Sequence, residues 1–226
     1  MSKCAICLHD LPIFEGLDRE DFASVCLNAA KQKLEKGECL FHQGAPSEAL
    51  YLIKEGTVKL VQYTEEGREI ILDVVGRGEV LGETALFQQQ KHFASAIALE
   101  RVKVCSISLN QFEQLIMAKP AIAMKIIANL GQKLYLTMQQ LGDVTNNSVA
   151  EKLTRLLFRL AREYGEETPE GHLIALNLTQ QDLANMVGAS RVMVAQVLKQ
   201  FKEKGFLIKP DKYYVIQDRC LDKHFR

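Results

Sequence analysis

Six cysteines punctuate this chain, at positions 4, 7, 26, 39, 105 and 220, and two of them, Cys4 and Cys7, stand three residues apart. Thiolates at i and i+3 can grip one metal centre, and clustered thiols also serve redox chemistry. The chain opens with no cationic stretch followed by an apolar run, so the cysteines do not read as the disulfide framework of a secreted protein. A second set of residues suits a different chemistry. Arg191, Val192, Ala195, Gln196 and Lys199 share one face of a helical stretch. They are short or end in hydrogen-bonding groups, as a helix seated in the major groove of DNA requires.

That second set needs a scaffold, and the flanking residues supply one. Thr179 and Asp182 form the S/T-x-x-D/E box that opens a helix, Leu183 and Val187 give it an apolar side, and Gly188 ends it. Ser190 caps a second helix running to about Lys204, with Val194, Val197, Leu198 and Phe201 turned inward by the 3.6-residue period. Any packed helix pair shows an apolar stripe. The double cap, the short glycine turn and the cationic approach favour DNA. On this reading Thr179, Ser190 and Lys199 hold phosphates, which position without specifying, and Gln180 is a further DNA contact. Residues 206–208 and 213–216 flank Pro210-Asp211-Lys212 as a hairpin wing.

Upstream, residues 12–31 read as a short helix capped by Asp18, with Phe22, Val25 and Cys26 on one face. Runs at 50–53, 57–63, 70–75, 94–99 and 102–107, separated by glycine turns, predict an antiparallel barrel or roll. A long helix is expected from 120 to about 144. Its near-heptad positions Ile127, Leu130, Leu134, Thr137 and Leu141 form a seam suited to pairing with a second copy. Residues 145–148 read as a hinge, Ser148 caps a helix through Tyr164, and 165–171 reads as a polar loop.

The predicted domains are a sensor roll with its leading helix at 1–117, a dimerisation helix and hinge at 118–147, and a winged helix-turn-helix at 148–226. The fold class is α+β. Net charge is zero, yet 148–226 carries 13 Lys and Arg against 10 Asp and Glu (net +3), while 1–147 carries 15 against 18 (net −3). Phosphate contact is thus expected from the carboxy-terminal part alone. The 47% hydrophobic content supports a substantial core without a membrane-length apolar run, so a soluble, cytoplasmic chain is expected. No P-loop, nucleophile elbow or HExxH appears, and an enzyme is not expected.

These elements in this order resemble the CRP/FNR superfamily of bacterial transcription regulators. The resemblance spans nearly the whole chain. It is carried by GEVLGETALF (78–87), LGDVTNNSVAEKLTRLLFRLA (141–161) and LTQQDLANMVGASRVMVAQVL (178–198). It implies a cupin-like β-roll of the cyclic-nucleotide-binding type, and a homodimer on palindromic double-stranded DNA that works with RNA polymerase.

The resemblance also frames the effector. The cyclic-nucleotide receptors of this superfamily hold the cyclic phosphate with a Gly-Glu pair and, some ten residues on, an Arg-Ser pair. Here Gly82 and Glu83 match, but Phe93 and Ala94 replace the second pair. A buried phosphate without its guanidinium is costly, and Lys91 nearby lacks the bidentate geometry, which argues against cyclic AMP. The oxygen-sensing FNR branch holds a [4Fe–4S] cluster with amino-terminal cysteines and one from the roll. ALERVKVCSIS (98–108) resembles the segment bearing that roll cysteine. The implied ligands are Cys4, Cys7 and Cys105, with Asp10 or His9 fourth. A metal-free alternative is a reversible disulfide from Cys4 or Cys7 to Cys105. A small molecule in the roll, or haem on His42 or His92, is a third possibility, and buried inert cysteines a fourth.

Related recognition helices commonly carry Arg, then Glu, then Arg four residues beyond it. Here these positions are Arg191, Val192 and Gln196. Valine can touch a thymine methyl and glutamine can pair bidentately with adenine, so an A·T-richer half-site is expected.

Overall fold

The structure is a computed structural model describing residues 29–82, 91–118 and 148–217. Between the last two it describes positions 120, 123, 124, 127, 128, 131, 134, 135 and 138. The chain divides into two compact units, Met1–Leu60 with Val74–Gly142, and Val61–Asp73 with Asp143–Arg226.

Eight strands build the amino-terminal roll: β1 (Ala30–Leu34), β2 (Cys39–Phe41), β3 (Ala49–Glu55), β4 (Val58–Tyr63), β5 (Glu69–Val75), β6 (Val80–Leu81), β7 (Ser95–Ala98) and β8 (Val102–Ser108). They form two four-stranded sheets, ordered β1-β8-β3-β6 and β2-β7-β4-β5. Both sheets feed one core, with Leu34, Ile53, Leu81, Val102 and Val104 from the first and Val58, Val75, Ala96 and Ala98 from the second. Successive side chains alternate faces along a strand, so one face of each sheet closes this core. All five expected strands form.

Three strands are absent from the sequence reading. One of them, β1, overrides the end of the expected helix at 12–31. Ala30 and Lys31 are extended because β1 pairs antiparallel with β8 along its whole length, from Ala30↔Ser106 to Leu34↔Val102. The rest of that expected helix lies outside the described residues.

After β8 a ten-residue helix, α1 (Leu109–Ala118), turns inward on Phe112. Ser108 opens it. The Gln111 amide donates to Ser108 Oγ at 3.4 Å and the Ser108 amide donates to Gln111 Oε1 at 3.0 Å. This is a capping box, and its signature, Ser108-x-x-Gln111, stands in the sequence. The described positions from 120 to 138 are helical.

The second unit begins with α2 (Val149–Tyr164), capped by Ser148, whose side chain accepts from the Glu151 amide while Glu151 reaches back to Ser148. Leu153, Leu157 and Leu160 bury its inner face. Residues 165–174, expected to begin as a polar loop, instead fold as the hairpin β9 (Gly165–Thr168) and β10 (Gly171–Ile174). Its glutamates sit on an edge strand, where one side remains wet. Then come α3 (Gln180–Val187), α4 (Arg191–Glu203), β11 (Leu207–Ile208) and β12 (Tyr214–Ile216). The sheet order β11-β12-β10-β9 joins the strands preceding α3 to those following α4. Among the described residues no helix is long and apolar enough to cross a membrane.

Candidate nucleic-acid interface and sensor site

Local chemistry sets the angle between α3 and α4. The Asp182 amide donates to Thr179 Oγ1 at 3.1 Å, and the Thr179 amide donates to Asp182 Oδ2 at 2.9 Å. At the other end Gly188 takes φ 65°, ψ 35°, left-handed values at which a Cβ is penalised, and its amide donates to the Ala184 carbonyl. Two residues later Ser190 Oγ accepts from the Met193 amide at 3.2 Å and starts α4. Val194 and Leu198 are buried beneath α4, with Val197 and Phe201 partly covered. Phe206 meets Phe201 at 4.9 Å and Phe158 of α2 edge-on at 5.6 Å, fixing the far end of α4.

The outer face of α4 carries Arg191, Val192, Gln196 and Lys199, all exposed, with Val192 at 67%. Ala195 is half-covered. Two further residues on this face escaped the sequence reading: Met193, 47% exposed, and Gln200. Both sit within one helical turn of Gln196, and helical spacing alone would have found them. Lys199 lies 3.9 Å from Glu203, a loose pair between exposed side chains that leaves the ammonium available to other anions. Thr179 is exposed at the leading end of α3 and Gln180 half-buried. In the wing, Lys209 places its ammonium 4.1 Å over the Tyr214 ring. Burial, with the nearby Lys202 charge, holds the Lys209 pKa below its usual value. The surface of α4 is therefore a shallow, mixed apolar and hydrogen-bonding ridge with cations at its start and middle.

In the roll, Gly82 adopts φ 84°, and a Cβ there would lie 2.5 Å from the Ala49 carbonyl oxygen and 3.2 Å from the Tyr51 ring. Tyr51 also faces His92, ring centres 6.4 Å apart, so it stands between the Gly82 turn and the segment entering β7. His92 is buried and stacks on Phe41 at 3.8 Å. Burial lowers its pKa, because desolvation opposes protonation of the imidazole. Phe93, next along, is 53% exposed, whereas Ala94 is buried. His42 is exposed, its Nδ1 3.4 Å from Cys39 Sγ, and Cys39 donates to the Phe41 carbonyl at 2.9 Å. Burial pushes the Cys39 thiol up, away from the reactive thiolate.

Cys105 is buried on β8, opposite Lys31 of β1 and Leu52 of β3. Its neighbour Val104 faces the roll core, so by alternation the thiol points to the opposite face of the sheet. Among the described residues no three His, Cys, Asp or Glu side chains gather as a metal site. The other expected ligands Cys4, Cys7, His9 and Asp10 lie outside the described residues, as do Cys26, Glu83, Leu130, Thr137 and Leu141. Of the expected seam, Ile127 and Leu134 are helical and exposed, at 59% and 57%, alongside Met124 at 65% and Met138 at 61%.

Comparison with known proteins agrees with this layout. Residues 31–119 match the cyclic nucleotide-binding domain family and residues 151–220 match the Crp-like helix-turn-helix domain family. The chain is 31% identical over 179 residues to the cAMP-activated global transcriptional regulator CRP of Escherichia coli O157:H7, covering 78% of this chain and 84% of that one. It is 29% identical over 180 residues to the Anaerobic regulatory protein of Bacillus subtilis, covering 79% of this chain and 76% of that one. The fold is similar to the c-di-GMP responsive global regulator CLP of Xanthomonas campestris, with TM-score 0.75 and 24% identity over 88% of this chain and 99% of that chain.

Proposed function

We propose, from the premise that this chain belongs to the CRP/FNR family of DNA-binding transcription regulators and is not an enzyme, that it binds a palindromic operator as a homodimer under redox control. Arg191, Val192, Gln196 and Met193 are the groups assigned to base edges, with Ala195 beside them. Thr179, Gln180, Ser190 and Lys199 are assigned to the phosphate backbone. Val192 and Gln196 favour an A·T-richer half-site. The exposed apolar row Met124, Ile127, Leu134 and Met138 supports pairing of two chains, which would deliver two recognition helices to two half-sites. Such a regulator works on the chromosome with RNA polymerase, in the cytoplasm.

The observation that carries the choice of signal is the pair Phe93 and Ala94. The first is exposed and the second is buried, and neither side chain can neutralise a cyclic phosphate. The cAMP-activated naming of the Escherichia coli relative therefore does not transfer its ligand to this chain. Redox control instead draws on Cys105 with Cys4 and Cys7, and on the resemblance to a Bacillus protein named for anaerobic regulation. A thiol switch needs these cysteines and no metal: two thiols lose two protons and two electrons to an oxidant such as oxygen or a disulfide as the S–S bond forms. A [4Fe–4S] cluster would add Asp10 or His9 and would supply oxygen-labile iron chemistry. Cys105 is the one proposed ligand among the described residues, so the switch stands here as a property of the thiols.

The test is anaerobic purification, an absorption spectrum, and duplex binding with and without dithiothreitol or air. The expected result is DNA affinity that changes with oxidation and loses that response in Cys105→Ser. A response that survives Cys105→Ser overturns the assignment to Cys105, and DNA affinity indifferent to dithiothreitol and air overturns redox control and leaves a small molecule or haem in the roll.

A further inference from the structure

Tyr214 of β12 is 1% exposed, and among the described residues its hydroxyl alone of the buried side-chain polar atoms has no hydrogen-bond partner. A buried hydroxyl left unpaired costs stability, so its presence calls for a use outside the free fold. Its position suggests one. Tyr214 pairs with Ile174 at the end of β10, the strand from which residues 175–178 lead into Thr179. Burial, and then the charge of Asp182, hold the phenol pKa above its usual value. The Asp182 carboxylate is thus close enough to act on the phenol, which keeps its proton at neutral pH. The Lys209 ammonium covers the same ring at 4.1 Å.

A hydroxyl has a single hydrogen to give, and Thr179 Oγ1 gives its own to Asp182 Oδ2 at 2.6 Å. Thr179 is also assigned above to a DNA phosphate, and this inference rests on that assignment. A phosphate oxygen only accepts, so it takes the same hydrogen. Asp182 is 8% exposed, and losing a donor to a buried carboxylate weakens the cap that starts α3. We propose that Tyr214 is a reserve donor: when Thr179 turns its hydroxyl to a DNA phosphate, the Tyr214 hydroxyl donates to the Asp182 carboxylate in its place. Tyr214 is then a positioning residue for DNA binding that never touches DNA. The α3 cap survives the phosphate contact because a second hydroxyl stands behind it.

The test uses the full-length protein and a fluorescent duplex of random sequence, about 40 base pairs long, because a phosphate contact carries no sequence information. Tyr214→Phe removes the hydroxyl and keeps the ring. DNA affinity is expected to fall roughly tenfold at fixed salt, from the loss of a hydrogen bond to a charged group. The melting temperature of the free protein is expected to equal or exceed that of the parent. Thr179→Val removes the hydroxyl that changes partner, so adding Tyr214→Phe to it is expected to cost less than about twofold. If Thr179→Val does not fold, as judged by circular dichroism, Asp182→Asn takes its place in the cycle, since it removes the carboxylate that both hydroxyls address.

Parent-like DNA affinity in Tyr214→Phe overturns the proposal. So does weaker binding joined to a lower melting temperature or to misfolding, which assigns the hydroxyl to the free fold. A Tyr214→Phe effect undiminished in the Thr179→Val or Asp182→Asn background overturns the link to the cap. Full affinity in Arg191→Ala with Lys199→Ala overturns the assigned DNA face itself, a failure distinct from that of Tyr214.

Discussion

Thr179 and Asp182 close on each other through three hydrogen bonds. The Thr179 amide and hydroxyl both donate to Asp182 Oδ2, at 2.9 and 2.6 Å, and the Asp182 amide donates back to Thr179 Oγ1 at 3.1 Å. Asp182 is 8% exposed, so its carboxylate depends on these partners and on the helix start it caps. Asp182→Ala is expected to cost about 1–2 kcal/mol of stability. Urea unfolding measures this, and a loss below about 0.3 kcal/mol would show that the box does not hold α3.

The proposed base preference rests on the outer face of α4. Introducing a carboxylate with Val192→Glu allows acceptance from a cytosine amino group. The selected half-site should shift toward G·C at one position, by about 1–3 kcal/mol of discrimination. Binding-site selection on parent and variant compares the two. Recovery of one consensus from both proteins would remove Val192 from base readout.

The proposed pairing of two chains rests on the exposed row at Met124, Ile127, Leu134 and Met138, whose spacing of three and four residues holds across the helix with Gly131 between. Leu134→Glu would place a charge in each half of the proposed seam. Dimer affinity is expected to fall by at least about a hundredfold, since burying a leucine contributes about 1.5–3 kcal/mol on each chain and a charge there adds a penalty. Sedimentation velocity across a concentration series reads the shift, and an unchanged dimer would place the interface elsewhere.

Acid sensitivity should be traceable to the cap of α2. Backbone and hydroxyl hydrogen bonds from Ser148 hold the Glu151 carboxyl below its usual pKa. A lowered folded-state pKa means that the carboxylate stabilises the fold above the unfolded value and stops doing so as pH falls through the folded one. Stability of the parent should therefore decline as pH drops below the ordinary carboxylate value of about 4.3. Glu151→Gln should shallow that decline. Thermal melts at stepped pH compare them, and parallel curves would discard the cap as a source of acid sensitivity.

The helix starts at Ser148, Thr179 and Ser190 were legible because a cap is a local exchange of hydrogen bonds between residues three apart. The same rule finds α1 at Ser108 and Gln111, which lay unread in the sequence. Strand β1 was not legible, since Ala30–Leu34 carries no β-branched residue and is extended only through its pairing with β8. The hairpin of β9 and β10 hid for a similar reason: its edge is glutamate-rich, and its order comes from the pairing of β10 with β12, about forty residues later. The facing of Cys105 was equally obscure. Val104 and Cys105 are both buried, so the two faces of β8 carry the same burial signal, and register with β3 is needed to separate them.

The four-stranded sheet of the second unit has a consequence for how such proteins diversify. His172, Leu173 and Ile174 pair with Ile216, Val215 and Tyr214, and Leu207 and Ile208 pair with Ile216 and Val215. Residues 175–206 are thereby strung between two anchors made of main-chain hydrogen bonds. Those anchors are indifferent to the side chains on the outward surface of α4. Residues such as Val192 and Gln196 can therefore be exchanged without unfolding the frame that presents them. The recognition helix behaves as an interchangeable cartridge, and new operators come within reach of a few substitutions while the sensor and its wiring stay as they are.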